Sequence, residues 1–359
     1  MSGELVSVAS SEIARSWPKK IYIGGGMCAG VVRAQEAYRD FTRTHERGTV
    51  YSVGEPAHNP HVNQEFIDLG VIFVDSMNQV PKDEDANVIE QPHGNTPEDE
   101  EIAQGLGGDY VFTECPLVTK VKKEIIENTA QGLQTIYYGQ LSKDENDVNK
   151  PHPETRAAMS VGNVLLVTSL DEALSDDLYD QIIDPTKVAF ACQTTHDAEE
   201  AVEMAEALKE QLFPDIKIPK KPDYCYATHD RQGTAKRANE FKVDRIVVLG
   251  DEETSSNTRN LAKVAAKDLK KGGRVIVVNS ISEVDEADFH GVDSVAIIGS
   301  ASTPIEQINL GAQWFTDRGS DAPQNIDIRD ESRIRFPPPI VHRTAAPFVP
   351  EIIWENPTS

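Results

Sequence analysis

Two kinds of side chain stand where they could do chemistry: cysteines at loop–helix junctions, and histidine, hydroxyl and amide groups beside short strand-like runs. In TECPLVTKVKKEII (113–126), Leu117, Val121 and Ile125 recur at helical spacing, and Pro116 suits a first helical position. The spacing predicts a helix with Cys115 as its N-cap. A sulfur there meets unpaired backbone N–H groups and the positive end of the helix dipole, and both favour thiolate over thiol. Cys-Pro is a familiar pair at iron–sulfur ligands; the competing role is a buried thiol capping a core helix. In SSNTRNLA (255–262), three capping-type residues precede an amphipathic pattern. One cap needs only one of them, so this helix start suits a phosphate as well as plain capping. SASTPIEQI (300–308) repeats the arrangement after another apolar run. Two such starts beyond strands suit a diphosphate, because anions bind past the carboxyl ends of parallel strands.

The histidines lie in polar loops: His58 and His61 in EPAHNPHV, His93 in QPHGN, and His152 in KPHPET, with Glu154 two residues on. A histidine and a glutamate in a proline-bounded loop can relay a proton; each histidine alone reads equally as an ordinary surface side chain. The H-x-E spacing also marks zinc deaminases, but those need a C-x-x-C partner that this sequence lacks. Walker A and nucleophile-elbow patterns are absent from the sequence. Cys28 sits in GGGMCAG (24–30), where Gly24, Gly26 and Gly30 fall one residue off a dinucleotide fingerprint. No acidic residue closes the next strand, TVYSVGE, so that match is weak.

The elements that must hold these residues follow from the pattern along the chain. Strand-like runs at 20–25, 49–53, 71–75, 87–91, 109–113, 135–139, 163–169, 187–193, 245–250, 274–279 and 294–300 alternate with helical patterns such as 198–212 and 258–273. Alternation of this kind predicts an α/β protein with mainly parallel sheets. Residues 1–19 read as an N-terminal extension, 20–115, 116–221 and 222–329 as three α/β subdomains, and 330–359 as a proline-rich extended tail. Residues 141–151 read as a polar loop. The 359 residues carry a formal charge of −24, which argues against nucleic-acid and anionic-membrane partners. A small anion would have to be held by local donors. No apolar run approaches the roughly 18 residues of a membrane span. No signal-like n- and h-region opens the chain, so a cytoplasmic setting without disulfides is expected.

Nine motifs, GMCAGVVRA, EPAHN, PHG, CPLVTKV, HPE, QTT, YCYAT-x-x-RQ, SSNT and SASTP, occur in the order and at about the separations of the LytB/IspH family of 4-hydroxy-3-methylbut-2-enyl diphosphate reductases. The chain resembles that family from about residue 20 to about 315. The resemblance implies three α/β subdomains in a pseudo-three-fold cloverleaf around a central iron–sulfur cluster. It implies Cys28, Cys115 and Cys225 as ligands of a [4Fe-4S] cluster with one open iron, a cluster that can be isolated as [3Fe-4S]. Cys192 matches no ligand and reads as structural. By the same resemblance His58, His93, Ser255, Asn257 and Ser302 hold the substrate's diphosphate, with Ser256 and Thr228 close by. Glu154 is the proton source, and His152 and Thr194 relay protons and orient the hydroxyl.

The implied reaction is two-electron reductive dehydroxylation to isopentenyl and dimethylallyl diphosphate, the last step of the methylerythritol phosphate route to isoprenoids. The electrons would come from a donor such as ferredoxin or flavodoxin. The glycines around Cys28 then read as room for the backbone to pass a bulky cluster. The chain departs from the family at Gly25-Gly26-Met27, where Arg-Gly-Phe is usual, at Phe112-Thr113-Glu114 in place of Asp-Ala-Thr, and at Gln140 in place of a histidine. An ionised Glu114 beside a ligand would lower a cluster's potential. Other readings are a diverged relative reducing another allylic or aryl substrate, a non-enzymatic iron–sulfur protein, and a nucleotide-binding α/β protein with structural cysteines.

Overall fold

The computed structural model describes residues 16–45, 48–82, 86–143, 148–331 and 333–343. The chain runs through β1 (Lys20–Gly25), α1 (Ala29–Thr44), β2 (Thr49–Val53), α2 (Pro60–Asp68), β3 (Ile72–Val74), β4 (Ala86–Glu90), α3 (Pro97–Gln104) and β5 (Tyr110–Phe112). It continues with α4 (Pro116–Ala130), β6 (Gln134–Tyr138), β7 (Leu141–Lys143), β8 (Asn149–Pro151), α5 (Pro153–Met159) and β9 (Val164–Val167). Two single turns, α6 (Leu170–Ala173) and α7 (Asp176–Tyr179), lead to β10 (Val188–Cys192) and α8 (Ala198–Gln211). The last third holds α9 (Tyr226–Glu240), β11 (Arg245–Leu249), α10 (Ser256–Lys267), β12 (Arg274–Val278), β13 (Ser294–Gly299), α11 (Ile305–Thr316), β14 (Gln324–Asn325) and β15 (Val341–His342).

Each of the eleven predicted strands overlaps an observed one, and with the unpredicted β14 and β15 they form three sheets ordered β15-β5-β4-β2-β3, β10-β6-β9 and β12-β11-β13-β1-β14. All pairings within these sheets are parallel except β15 on β5. Side chains alternate between the two faces of a strand, so both faces of a covered sheet must be apolar. Strand β11 shows this: Ile246 and Val248 pack with α9 and α10, while Val247 and Leu249 pack with α11. The first sheet packs Tyr38 and Phe41 of α1 on one face, and the second packs Val121 and Ile125 of α4.

Four sequence expectations change. Strand 20–25, grouped with the first subdomain, pairs instead with β13 in the third sheet. Its Tyr22 and Ile21 fill the cores on the two faces of that sheet. Residues 141–151 are not simply a loop: Leu141–Lys143 and Asn149–Pro151 pair as an antiparallel hairpin, with 144–147 outside the described residues. The helix expected at 258–273 starts two residues earlier, because the Ser255 hydroxyl caps Thr258 N (3.2 Å), and it ends at Lys267. The described part of the tail is anchored: Pro337 O accepts from Arg33 Nε (2.6 Å), and β15 adds to the first sheet. Residues 1–15, 332 and 344–359 of the extension and tail lie outside the described residues. Among the described residues, no helix is long and apolar enough to cross a membrane.

Candidate active site

Each sheet packs beneath a long helix capped by a cysteine: Cys28 caps α1, Cys115 caps α4 and Cys225 caps α9. Proline at the first helical position fixes the start of α4, as the sequence suggests. The other two caps carry no such signal and were not legible. Cys28 Sγ accepts from Val31 N (3.4 Å) and Cys225 Sγ from Ala227 N (3.3 Å), while Cys115 makes no such capping bond. The three cysteines line one cavity, and all four cysteines are free thiols. A methyl group on Gly30 would lie 3.1 Å from Cys115 Sγ and 3.7 Å from Cys28 Sγ. Both sulfurs therefore border one point, and a side chain at residue 30 would intrude on it.

The cysteine amides tie this centre to the surrounding loops. Cys28 N donates to Ala301 O (3.0 Å), Cys115 N to Pro92 O (2.9 Å) and Cys225 N to Thr194 O (2.8 Å). Those acceptors adjoin Ser302 and His93 or belong to Thr194 itself. Main-chain hydrogen bonds thus join the sulfur-bearing loops to loops with candidate substrate contacts.

One wall of the cavity is imidazole. His58 and His93 stack with ring centroids 4.4 Å apart, and His152 stands edge-on at 5.7 Å from His93 and 6.2 Å from His58. Both ring nitrogens of His58 are buried without a hydrogen-bond partner; Glu55 Oε2 is 3.6 Å from Nδ1. Burial and mutual repulsion hold His93 well below the ordinary histidine range, and burial brings His152 down to about 3, so both are neutral near pH 7. His152 does not itself line the cavity: it caps α5, and its Nδ1 accepts from Glu154 N (3.2 Å). His61 lies outside the cavity wall, at the first turn of α2.

The facing wall is hydroxyl and amide. Thr228, Ser255, Asn257 and Ser302 line it. Thr228 Oγ1 donates to Asn257 Oδ1 (3.2 Å), and Ser302 Oγ donates to His58 O (3.2 Å), which joins the two walls. Ser256 does not share this surface: its Oγ accepts from Arg259 (3.1 Å) and is absent from the lining.

Between the walls lies Glu154, buried, with Oε1 accepting from Thr194 N (2.7 Å) and Oε2 from Thr194 Oγ1 (3.0 Å). Burial raises its carboxyl to about 8 against the lowering effect of both Thr194 contacts, so near pH 7 it is a held acid. Sequence reasoning assigned no role to Gln193, whose Oε1 accepts from Gln140 N (3.0 Å) and Thr155 Oγ1 (3.0 Å) and whose Nε2 donates to Thr195 Oγ1 (2.8 Å). Thr195 also lines the cavity. Its place in QTT was the available signal.

These thiols fit an iron–sulfur cluster. Among the described residues no three His, Cys, Asp or Glu side chains are arranged to hold a single metal ion. A polynuclear cluster sets its thiolates on separate irons, so its ligands stand further apart than those of one ion. Three helix N-termini add positive potential where an anionic thiolate–cluster unit would sit. The sequence expectation of a ready thiolate does not hold for the metal-free chain. Burial and the neighbouring Cys28 push the Cys115 thiol up to about 12, and burial, Cys28 and Cys115 raise Cys225 well above the usual range. Dipoles at helix starts are outweighed by desolvation until a cation supplies the missing charge, since a coordinating thiol is deprotonated outright. Cys192 sits in the core of the second sheet, as a structural thiol should.

The chain is similar to known proteins over most of its length. The model of the family described as LytB protein matches residues 23–313. The 4-hydroxy-3-methylbut-2-enyl diphosphate reductase of Acidothermus cellulolyticus is 31% identical over 319 residues, 89% of this chain and 88% of that protein. The protein of the same name from Rhodopirellula baltica is 32% identical over 324 residues, 90% of this chain and 95% of its own length. In fold, the chain superposes on the E-1-hydroxy-2-methyl-but-2-enyl-4-diphosphate reductase of Plasmodium falciparum with a TM-score of 0.76, at 24% identity, covering 90% of this chain and 96% of that one. It also matches a structure of (E)-4-hydroxy-3-methyl-but-2-enyl diphosphate reductase, described as the terminal enzyme of the non-mevalonate pathway, with a TM-score of 0.56 at 26% identity, covering 82% and 99%.

Proposed function

The chain belongs to the LytB family, and from that premise we propose that it reduces (E)-4-hydroxy-3-methylbut-2-enyl diphosphate to isopentenyl and dimethylallyl diphosphate. This is the last step of the methylerythritol phosphate route. In this reading Cys28, Cys115 and Cys225 hold a [4Fe-4S] cluster that can lose one iron on isolation to leave [3Fe-4S]. A cytoplasmic donor such as ferredoxin or flavodoxin supplies the electrons. The observation that carries the reading is the meeting of three helix-capping cysteines with an imidazole wall, a hydroxyl–amide wall and a buried acid around one cavity.

When bound, the cluster supplies electrons and an open iron that acts as a Lewis acid. The rest falls to the protein. His58, His93, Ser255, Asn257, Ser302 and Thr228 bind and orient the diphosphate. Among the described residues no lysine or arginine lines the cavity; preorganised neutral donors serve instead. The reaction consumes two electrons and two protons, one proton leaving with the hydroxyl as water and one forming the new C–H bond. Glu154 holds one of those protons at its carboxyl, and Thr194 fixes the carboxyl by gripping both oxygens. His152 holds the backbone of Glu154 through Nδ1, a positioning role behind the wall. Ser256 contributes through Arg259 at the start of α10, away from the cavity surface.

Turnover of cluster-loaded protein with this substrate and a chemical reductant, read as release of the two diphosphate products, tests the reading. Product formation supports it; an intact cluster with no turnover overturns it.

A further inference from the structure

A cation stands in the second turn of each cysteine-capped helix. Arg33 is five residues after Cys28, Lys120 five after Cys115 and Arg231 six after Cys225. Each reaches the chain just before a different cysteine. Arg33 Nη1 donates to Thr113 O (3.0 Å) and Glu114 O (3.1 Å), ahead of Cys115. Lys120 Nζ donates to Lys221 O (3.2 Å), Pro222 O (3.4 Å) and Asp223 Oδ1 (2.8 Å), ahead of Cys225. Arg231 donates through Nε (2.9 Å) and Nη2 (2.7 Å) to Gly26 O and through Nη2 to Met27 O (3.4 Å), ahead of Cys28. The order closes on itself. The Cys28 helix holds the Cys115 loop, the Cys115 helix holds the Cys225 loop, and the Cys225 helix holds the Cys28 loop.

We propose that Arg33, Lys120 and Arg231 form a closed ring of positioning residues that holds the three cysteine loops as one unit, so that keeping the cluster depends on all three cations together. The inference rests on the reading of these cysteines as cluster ligands. None of the three cations lines the cavity, so they act on it through the loops. The carbonyls they bind precede the helix caps and lie outside the helical hydrogen-bond ladder, and cationic donors bind such groups more strongly than neutral ones. A guanidinium carries five donors: Arg33 reaches both carbonyls from Nη1, and Arg231 grips Gly26 O with Nε and Nη2 together. The tail joins the ring at two of its three points: Glu331 pairs with Arg231, and Pro337 O accepts from Arg33 Nε (2.6 Å). Lys120 pairs with Glu124 (3.2 Å) on its own helix instead.

A ring and three independent contacts differ in how far a single loss spreads. The cysteine amides are the probes, because each is bonded to a neighbouring loop at Ala301, Pro92 or Thr194. Amide hydrogen exchange is measured in the full chain before and after cluster loading, and iron release to a chelator is timed in the loaded protein. Arg33→Gln, Lys120→Gln and Arg231→Gln are each expected to raise exchange at all three cysteine amides by about tenfold or more, the scale of a lost charge-assisted hydrogen bond. They should speed iron release comparably. The Arg33→Gln/Lys120→Gln double variant should be little worse than either single one, because the ring is already open. Lys120→Arg should keep protection. Exchange that rises only at the gripped loop, or effects that simply add, would overturn the ring. If the buried Arg231→Gln does not fold, Lys120→Gln decides, since that side chain is only partly buried. If the wild-type chain takes up no iron, the functional reading falls, while the exchange pattern in the metal-free chain still supports or overturns the ring.

Discussion

The two walls of the cavity solve the same problem with different chemistry. On the imidazole side His58 and His93 stack, His152 stands edge-on behind them, and burial holds His93 and His152 neutral. On the other side, Thr228, Ser255, Asn257 and Ser302 sit at or near helix starts and are hydrogen-bonded to one another or to main chain. The hydroxyl–amide wall has the same charge at every pH near neutrality. The imidazole wall can gain a proton when an anion arrives, because a nearby negative charge favours the charged form. In the proposed function one wall would give fixed geometry and the other adjustable charge, so that a chain of net charge −24 would hold a diphosphate with no lysine or arginine among the described residues that line the cavity.

The strongest way to separate binding from chemistry is the group between the walls. Glu154→Gln should keep the cluster and diphosphate affinity but lower turnover by about 10²–10⁴-fold, the usual contribution of a general acid. Steady-state kinetics should show the loss in kcat rather than KM; near-normal turnover would remove Glu154 from its role. Asn257→Ala should weaken diphosphate binding by about 10–100-fold, the scale of hydrogen bonds to a charged group. That loss should be the same at pH 6.5 and pH 8. Binding to the wild-type protein near neutral pH should take up protons, seen by calorimetry in buffers of different ionisation enthalpy, and His93→Asn should reduce the uptake. Equal proton uptake in both proteins would erase the distinction between the walls.

A smaller effect appears without ligand. The folded pKa values of His93 and His152 lie below the unfolded value, so the unfolded chain binds protons first as pH falls. Stability should therefore decline below about pH 6.5, by at most about 1.4 kcal/mol per pH unit for each histidine. Thermal unfolding at pH 7 and pH 5.5 measures it. His152→Gln should flatten the decline.

The strands were legible because short apolar runs between turn residues leave few other folds for a chain of this length. Cys115 was legible as a cap because Pro116 marks the helix start. Cys28 and Cys225 were not, since neither is followed by a proline to mark the helix start. Strand β1 lay beyond reach for a similar reason: its pairing with β13 joins residues far apart in sequence, and local pattern carries no record of that. Ser256 and His152 stand in the right motifs but behind the surface, because motif order does not say which way a helix is turned. The raised thiols of Cys115 and Cys225 show a third limit. Helix-start chemistry is visible in sequence, whereas the desolvation met where the three cysteine-bearing helix starts converge is not.

The central claim is that one cavity holds both an iron–sulfur cluster on Cys28, Cys115 and Cys225 and the substrate's diphosphate between its two walls. Electron paramagnetic resonance of anaerobically purified, reduced protein, with and without 4-hydroxy-3-methylbut-2-enyl diphosphate, tests this most directly. The account predicts a cluster signal that shifts when the diphosphate is added and that is lost in Cys225→Ser. A colourless protein, or a cluster signal unmoved by saturating diphosphate, would contradict it.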